Sequence, residues 1–276
     1  MRWEVVHRAT EYIAEEAGIA LRNSAFSPNI RERMDHSVAV VDAEGRIVAQ
    51  AEHIPVHLGS FHVGVQNLLE YLRREGVELE DGDAVLTNDP YISGTHLNDV
   101  MVLYPVFWHG RLVAYIASKA HYVDVGGPLP ASLNPRAKTI YEEGVVVPPV
   151  KILRRGAMNK EALSFILENF KTPVVARGDL EAQLAASRVG AARVKDLFER
   201  FGDVSEQWNE AIEYGRRLAL AEIATWPPGR YEAEDYLDWG GELLPIRLAL
   251  EISEKGVRAD FEGTARQVDA PLNAVI

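Results

Sequence analysis

Two His-x-x-Asp units lie close together in this chain: His96 and Asp99 in NDPYISGTHLNDV, then His121 and Asp124 in AHYVDVGG. Neutral imidazole nitrogens and a carboxylate oxygen suit a divalent ion of borderline hardness. Two histidines with one aspartate leave positions open for water or substrate. Manganese, iron and zinc all accept the set His96, Asp99 and His121. An ion held there makes a bound water acidic enough to attack a carbonyl. Asp35, in the polar loop RERMDHS, is the best distant candidate for a fourth ligand. Asp124 or Asp89 can accept the free ring N–H of a ligand histidine. The spacing is not a fixed metal motif of the HExxH kind, so two other readings stay open. One is metal-free acid–base catalysis by His121 and Asp124; the other is hydrogen-bonded support of a loop.

AEHIPVHLGS sets His53 and His57 on either side of Pro55. Proline favours extended or turn backbone, which separates the two rings. They are candidates for a substrate-pocket wall or for buried hydrogen-bonded structure. Tyr91, Tyr122 and Trp108 are aromatic wall or packing residues. All eight histidines lie at or before His121, which puts imidazole chemistry in the first half of the chain.

For His96, Asp99 and His121 to meet, two strands must bring them to one edge of a sheet. MVLYPVFWHGRLVAYIASKA reads as two β runs turning at His109-Gly110. If they pair antiparallel, the entry of the first lies beside the exit of the second, which gathers the three side chains. SVAVVDAEGRIVAQ reads as an earlier hairpin around residues 42–45. Residues 2–20 carry Val5, Val6, Ile13, Ala17 and Ile19 at helical spacing, and Ser27-Pro28 then opens a loop. SFHVGVQNLLEYLRREG is a helix ending at Gly76, with Leu68 and Leu72 on one side. The Gly/Pro-rich stretch after Lys119 is a long packed loop. NKEALSFILENF, LEAQLAASRVGAARVKDLFERF with Asp179 as N-cap, and SEQWNEAIEYGRRLALAEIATW are helices, and β runs follow. Gly126-Gly127 and Gly240-Gly241 fit turns; neither belongs to a nucleotide-binding pattern. The expectation is an α+β fold with antiparallel or mixed β units and long helices between them. Residues 1–150 carry the site, 151–226 are mainly helical, and 227–276 are β-rich and part of a larger domain.

The 276 residues are 47% hydrophobic and 25% charged, which suits a globular chain with a large core. A net charge of −12 argues against nucleic acid or an anionic membrane surface as partner, and KILRRG is too short a basic cluster to reverse that. The absence of cysteine removes thiol nucleophiles, disulfides and thiolate metal ligation. No apolar run is long enough to span a bilayer, and the acidic residues of the first helix argue against a signal peptide, so a cytoplasmic location is expected.

SPNIRERMDHSVAVVDAEGRIVAQAEHIPVHLGS, NDPYISGTHLNDV, AHYVDVGG, YEEGVVVPPVKI, RGDLEAQLAA and DFEGTARQVDAPLNAVI occur in this order along the chain. Together they resemble the B subunit of ATP-dependent N-methylhydantoinases. The alpha-type subunits of acetone and acetophenone carboxylases and the C-terminal part of 5-oxoprolinase belong to the same superfamily. The resemblance implies an A-type partner that binds ATP and magnesium and activates the substrate by phosphoryl transfer. The B-type chain then serves the hydrolytic or carboxylating half. It also implies metal ligands at His96, Asp99 and His121, with the acidic position of the upstream loop at Asp35 or Glu32. The leading expectation is opening of a hydantoin or 5-oxoproline-like ring; a ketone carboxylase subunit and a non-catalytic assembly or regulatory subunit are the alternatives. Typical B subunits run well past APLNAVI. The resemblance therefore implies a split gene or a fragment, with exposed apolar surface that takes a C-terminal B fragment or another chain into a homo- or hetero-oligomer.

Overall fold

The structure, a computed structural model, describes residues 3–57, 59–253 and 256–275. Its first helix, α1 (Trp3–Ser24), forms because small and apolar residues recur every three or four positions: Val6, Thr10, Ile13, Ala14, Ala17, Gly18 and Leu21 are buried on one face. Val5 and Ile19, expected on that stripe, point outward. The loop expected at Ser27-Pro28 is instead one helical turn, α2 (Pro28–Arg31). Ser27 caps it by accepting the Ile30 N–H, and proline occupies a position where no N–H is needed.

Seven strands build the main sheet: β1 (His36–Asp42), β2 (Ile47–Glu52), β3 (Ala84–Thr87), β4 (Asp99–Trp108), β5 (Arg111–His121), β6 (Val150–Arg154) and β7 (Ala157–Met158). Their order is β2-β1-β5-β4-β3-β6-β7 and every pairing is antiparallel. The fold class is α+β, as expected. β1, β4 and β5 are buried on successive residues, so the sheet is covered on both faces. On one face, α3 (Ser60–Arg74) sets Phe61, Val65, Leu68 and Leu72 against Val41, Val85, Met101, Leu103 and Tyr115. On the other, α1 packs on β1 and β2, and α6 (Pro173–Phe201) packs on β4 and β5 and on α1. Two short helices, α4 (Pro90–Ser93) and α5 (Lys160–Glu168), complete this layer arrangement. The stretch between β5 and β6 holds only short 3-10 turns, at Pro130–Ser132 and Ile140–Glu142.

Three sequence expectations need correction. The boundary near 150 falls at the start of β6, which pairs with β3 in the same sheet (Leu86 opposite Val150), so the helices beyond it are a layer of the first unit. Asp179 does not cap its own helix, which begins at Pro173. It is buried within α6, and Oδ1 accepts the N–H groups of Phe26 and Ser27 at 2.7 and 2.9 Å. The boundary near 226 comes earlier: the first unit runs to Trp208 and is rejoined by the segment from Asp269. Trp208 is fully buried, donates Nε1–H to Thr10 Oγ1 at 2.9 Å and meets Phe198 edge-on.

The second unit, Asn209–Val268, contains most of α7 (Ser205–Ile223) and a three-stranded antiparallel sheet. Its strands are β8 (Gly229–Trp239), β9 (Glu242–Ser253) and β10 (Gly256–Asp260), with β9 central. The turn at Gly240-Gly241 joins β8 to β9. Leu243, Ile246 and Phe261 on this unit are exposed. Among the described residues, no helix is long and apolar enough to cross a membrane.

Candidate functional site

Register decides where the chemistry gathers. β4 and β5 turn at His109-Gly110, both in the left-handed region (φ 49° and 76°), as a two-residue hairpin requires. A one-residue shift of register between Val106 and Phe107 then brings Asp99 opposite His121 at the far end of the hairpin. β1 runs beside β5 with His36 opposite Ala120, so Asp35 arrives next to His121, whose N–H donates to the Asp35 carbonyl at 3.0 Å. His96 comes from the loop after α4, and its carbonyl accepts the Asp99 N–H at 3.1 Å. His57 ends the 3-10 turn Pro55–His57 just before α3. Five side chains from four segments meet at one end of the sheet, on its α3 face.

His96 Nε2 lies 3.1 Å from His121 Nδ1, and His121 Nδ1 lies 3.2 Å from Asp99 Oδ1. Asp99 Oδ2 is 3.5 Å from His96 Nδ1 and 3.4 Å from His57 Nε2; Asp35 Oδ2 is 3.9 Å from His121 Nδ1. Two triads, His96–Asp99–His121 and Asp35–His57–Asp99, each offer donor atoms within 4.8 Å of one another and share Asp99. Bonds of about 2.1 Å to one ion place neighbouring donors about 3.0–3.4 Å apart, close to these separations. Asp99 Oδ2 is also buried without a hydrogen-bond partner. Leaving such atoms unmatched is costly, and a cation relieves that cost. The donor set therefore fits a divalent ion.

The protonation states agree with that fit. Burial alone raises the Asp99 carboxyl, but the adjoining His121, His57 and His96 rings outweigh it and hold it well below the usual carboxylate range. Burial lowers His96 against the pull of Asp99, which favours the neutral imidazole that binds metals. The site is open on one side only: the His96 side chain is 44% exposed and His121 19%, whereas Asp99 is 1% exposed and His57 fully buried.

The other sequence candidates lie elsewhere. Asp124 is tied into the long connection: Oδ1 accepts Gly126 N–H at 3.0 Å, and Oδ2 accepts the N–H groups of Lys171 and, at 2.8 Å, Thr172. Its carboxyl is raised by burial and lowered more by these backbone donors. These contacts describe a tether between the loop and the start of α6. Asp89 caps α4 by accepting the Tyr91 N–H, and Tyr91 itself is 68% exposed. Tyr122 is packing: buried, it donates its hydroxyl to Gln183 Oε1 at 2.9 Å. His53 stacks on His36 across the opposite face of the sheet, ring centroids 4.4 Å apart. His57, expected at a pocket wall or in buried hydrogen-bonded structure, is fully buried, with Nδ1 3.0 Å from Ser37 Oγ, and lies inside the cluster.

The sequence reading missed Lys119 and Ser37. Lys119 sits fully buried on β5 and donates to Ser60 Oγ at 3.0 Å and to the carbonyls of Ser60, Ser93 and Gly94. Burial brings its ammonium down to about 8. A lysine on the core-facing alternation Tyr115, Ala117, Lys119, His121 was the available signal. Ser37 gave none.

The whole chain, residues 1–276, matches the family described as Hydantoinase B/oxoprolinase, and it belongs to that family. It is 46% identical over 274 residues to the uncharacterized protein MJ0963 of Methanocaldococcus jannaschii, covering 99% of this chain and 48% of that protein. Against 5-oxoprolinase 1 of Arabidopsis thaliana the identity is 32%, over 95% of this chain and 23% of the plant protein. The crystal structure of the ATP-dependent caprolactamase of Pseudomonas jessenii superposes with a TM-score of 0.91 at 30% identity, covering 99% of this chain and 47% of that one. The beta subunit of that caprolactamase is 31% identical over 258 residues, 92% of this chain and 44% of the subunit. The chain thus spans about half or less of the length of these relatives.

Proposed function

We propose that this chain supplies the metal-holding part of the B-type component of an ATP-dependent cyclic amidohydrolase that opens a hydantoin or 5-oxoproline-like ring. The observation that carries the reading is Asp99, buried and ionised, ringed by three imidazoles with its Oδ2 left unmatched. Family membership and the names of the relatives, 5-oxoprolinase and caprolactamase, direct that site toward cyclic amides. An A-type partner binds ATP and magnesium and phosphorylates the amide oxygen.

His96, Asp99, His121 and Asp35 are the side chains that would hold the ion. Manganese, zinc or iron, when bound, supplies Lewis acidity that brings a water's pKa toward neutral. Asp99 contributes fixed negative charge from a dry setting, and Asp35 adds a second carboxylate at the partly open rim. His121 turns Nδ1 into the cluster. With Nδ1 given to the ion, its Nε2 carries the ring proton and can donate it as a hydrogen bond to water or substrate at the open side. The buried floor of Asp99 and His57 excludes bulk water from behind.

The test is reconstitution with the A-type subunit and any separate remainder of the B chain. ADP release should match ring opening of hydantoin, 5-oxoproline or caprolactam one to one and proceed without bicarbonate. A strict bicarbonate requirement would replace the hydrolase reading with a carboxylase, and ring opening undiminished in His96→Ala/His121→Ala protein would remove this cluster from the chemistry.

A further inference from the structure

Three rings surround the Asp99 carboxylate: Oδ1 is near His121, and Oδ2 lies between His96 Nδ1 at 3.5 Å and His57 Nε2 at 3.4 Å. His96 and His121 reach solvent; His57 does not. His57 is held from several directions. Its Nδ1 lies 3.0 Å from Ser37 Oγ, so a hydroxyl donating there leaves the ring proton on Nε2, aimed at Asp99 Oδ2. Its carbonyl accepts from Ser60 Oγ at 3.0 Å, and Ser60 Oγ in turn accepts from Lys119. Lys119 also donates to the Gly94 carbonyl at 3.3 Å, so one buried ammonium ties the turn bearing His57 to the loop bearing His96. Phe61 closes the remaining side, its ring centroid 6.2 Å from that of His57.

We infer that His57, set by Ser37, is a positioning residue: it fixes the orientation of Asp99 for the bound ion and is neither a ligand nor a proton carrier. The inference rests on the metal-dependent reading above. Ser37, His57 and Asp99 have the residue types of a nucleophilic triad, but Ser37 is fully buried and presents its hydroxyl to no substrate. A ring fixed by Ser37 and by the pinned backbone of its own turn acts on chemistry by deciding where its neighbour sits.

Manganous ion is the probe, with the full chain and any subunit that copurifies. Affinity is read by EPR titration, and the imidazole nitrogens coupled to the ion are counted by spin-echo modulation. His57→Phe should weaken manganese binding about 10–100-fold. His57→Gln, whose amide can still donate to Asp99, should recover part of the loss. Ser37→Ala, a small change expected to leave the fold intact, should weaken binding by a lesser factor and have no effect in the His57→Phe background. That coupling separates positioning from a general loss of stability. Two imidazole nitrogens should be counted with and without His57. Unchanged affinity in both His57 variants, an additive Ser37→Ala loss, or three nitrogens falling to two would overturn the inference. A wild-type chain that binds no manganese would overturn the metal reading and, with it, this role.

Discussion

The main sheet carries two histidine clusters on opposite faces, and they differ in one ingredient. On the α3 face, His57, His96 and His121 surround Asp99 with Asp35 beside them. On the α1 face, the His36 and His53 rings lie together at a tilt, and among the described side chains the carboxylate beside them is that of Glu15, 3.9 Å from His53 Nε2. His36 turns Nε2 to the Gly18 carbonyl at 3.2 Å. Each cluster holds buried imidazole nitrogens without partners. Among the described side chains, only the first adds buried negative charge and an open side, the two features the proposed ion would need beyond imidazoles and burial. The second cluster is the internal control for the first.

The largest effect expected is at the shared carboxylate. Asp99→Asn keeps the shape and removes the charge, and should weaken divalent-metal binding by more than about 100-fold, measured by equilibrium titration. The opposite cluster should respond to acid. His36 is brought down to about 4, first by burial and then by His53 and its other charged neighbours, from 6.5 in the unfolded chain. Between those values the unfolded chain binds a proton that the folded chain does not. The stabilisation is therefore complete above about pH 6.5 and is lost as pH falls toward 4, by about 3 kcal/mol in denaturant titrations. His36→Gln should flatten that slope.

A smaller effect should separate the clusters sterically. A Cβ at Gly18 would lie 2.4 Å from His53 Cε1, so Gly18→Ala should cost about 1–3 kcal/mol in chemical unfolding while metal content stays at the wild-type level. Tyr91→Ala, at an exposed position, should change stability by less than about 0.5 kcal/mol and leave metal content alone.

The sequence carried the pairing of the two strands, because the turn at His109-Gly110 joins them as a hairpin, but not their register at the far end. The turn alone would set Asp99 opposite Ala120; a one-residue shift between Val106 and Phe107, which no local pattern announces, brings it opposite His121. Asp35 was legible for the related reason that it precedes a strand. His57 was half legible: Pro55 correctly separated it from His53, but no local pattern shows that a 3-10 turn will aim it at Asp99. Asp124 lies apart from the cluster, and the sequence could not show it, because a His-x-x-Asp repeat looks the same whether its carboxylate meets an imidazole or, as here, the backbone N–H groups of Lys171 and Thr172, nearly fifty positions on. The unit boundary was missed at Trp208 because α7 keeps its helical pattern across it, and only the long-range contact with Thr10 shows where the first core ends.

The account stands most directly on the metal content of purified protein, by elemental mass spectrometry, for wild type, Asp99→Asn and Gly18→Ala prepared identically with copurifying subunits and without added metal. It predicts close to one divalent ion per chain in wild type and Gly18→Ala, and almost none in Asp99→Asn that remains folded. Equal occupancy in wild type and Asp99→Asn would contradict it, because the buried carboxylate common to both triads would then have no part in holding the ion.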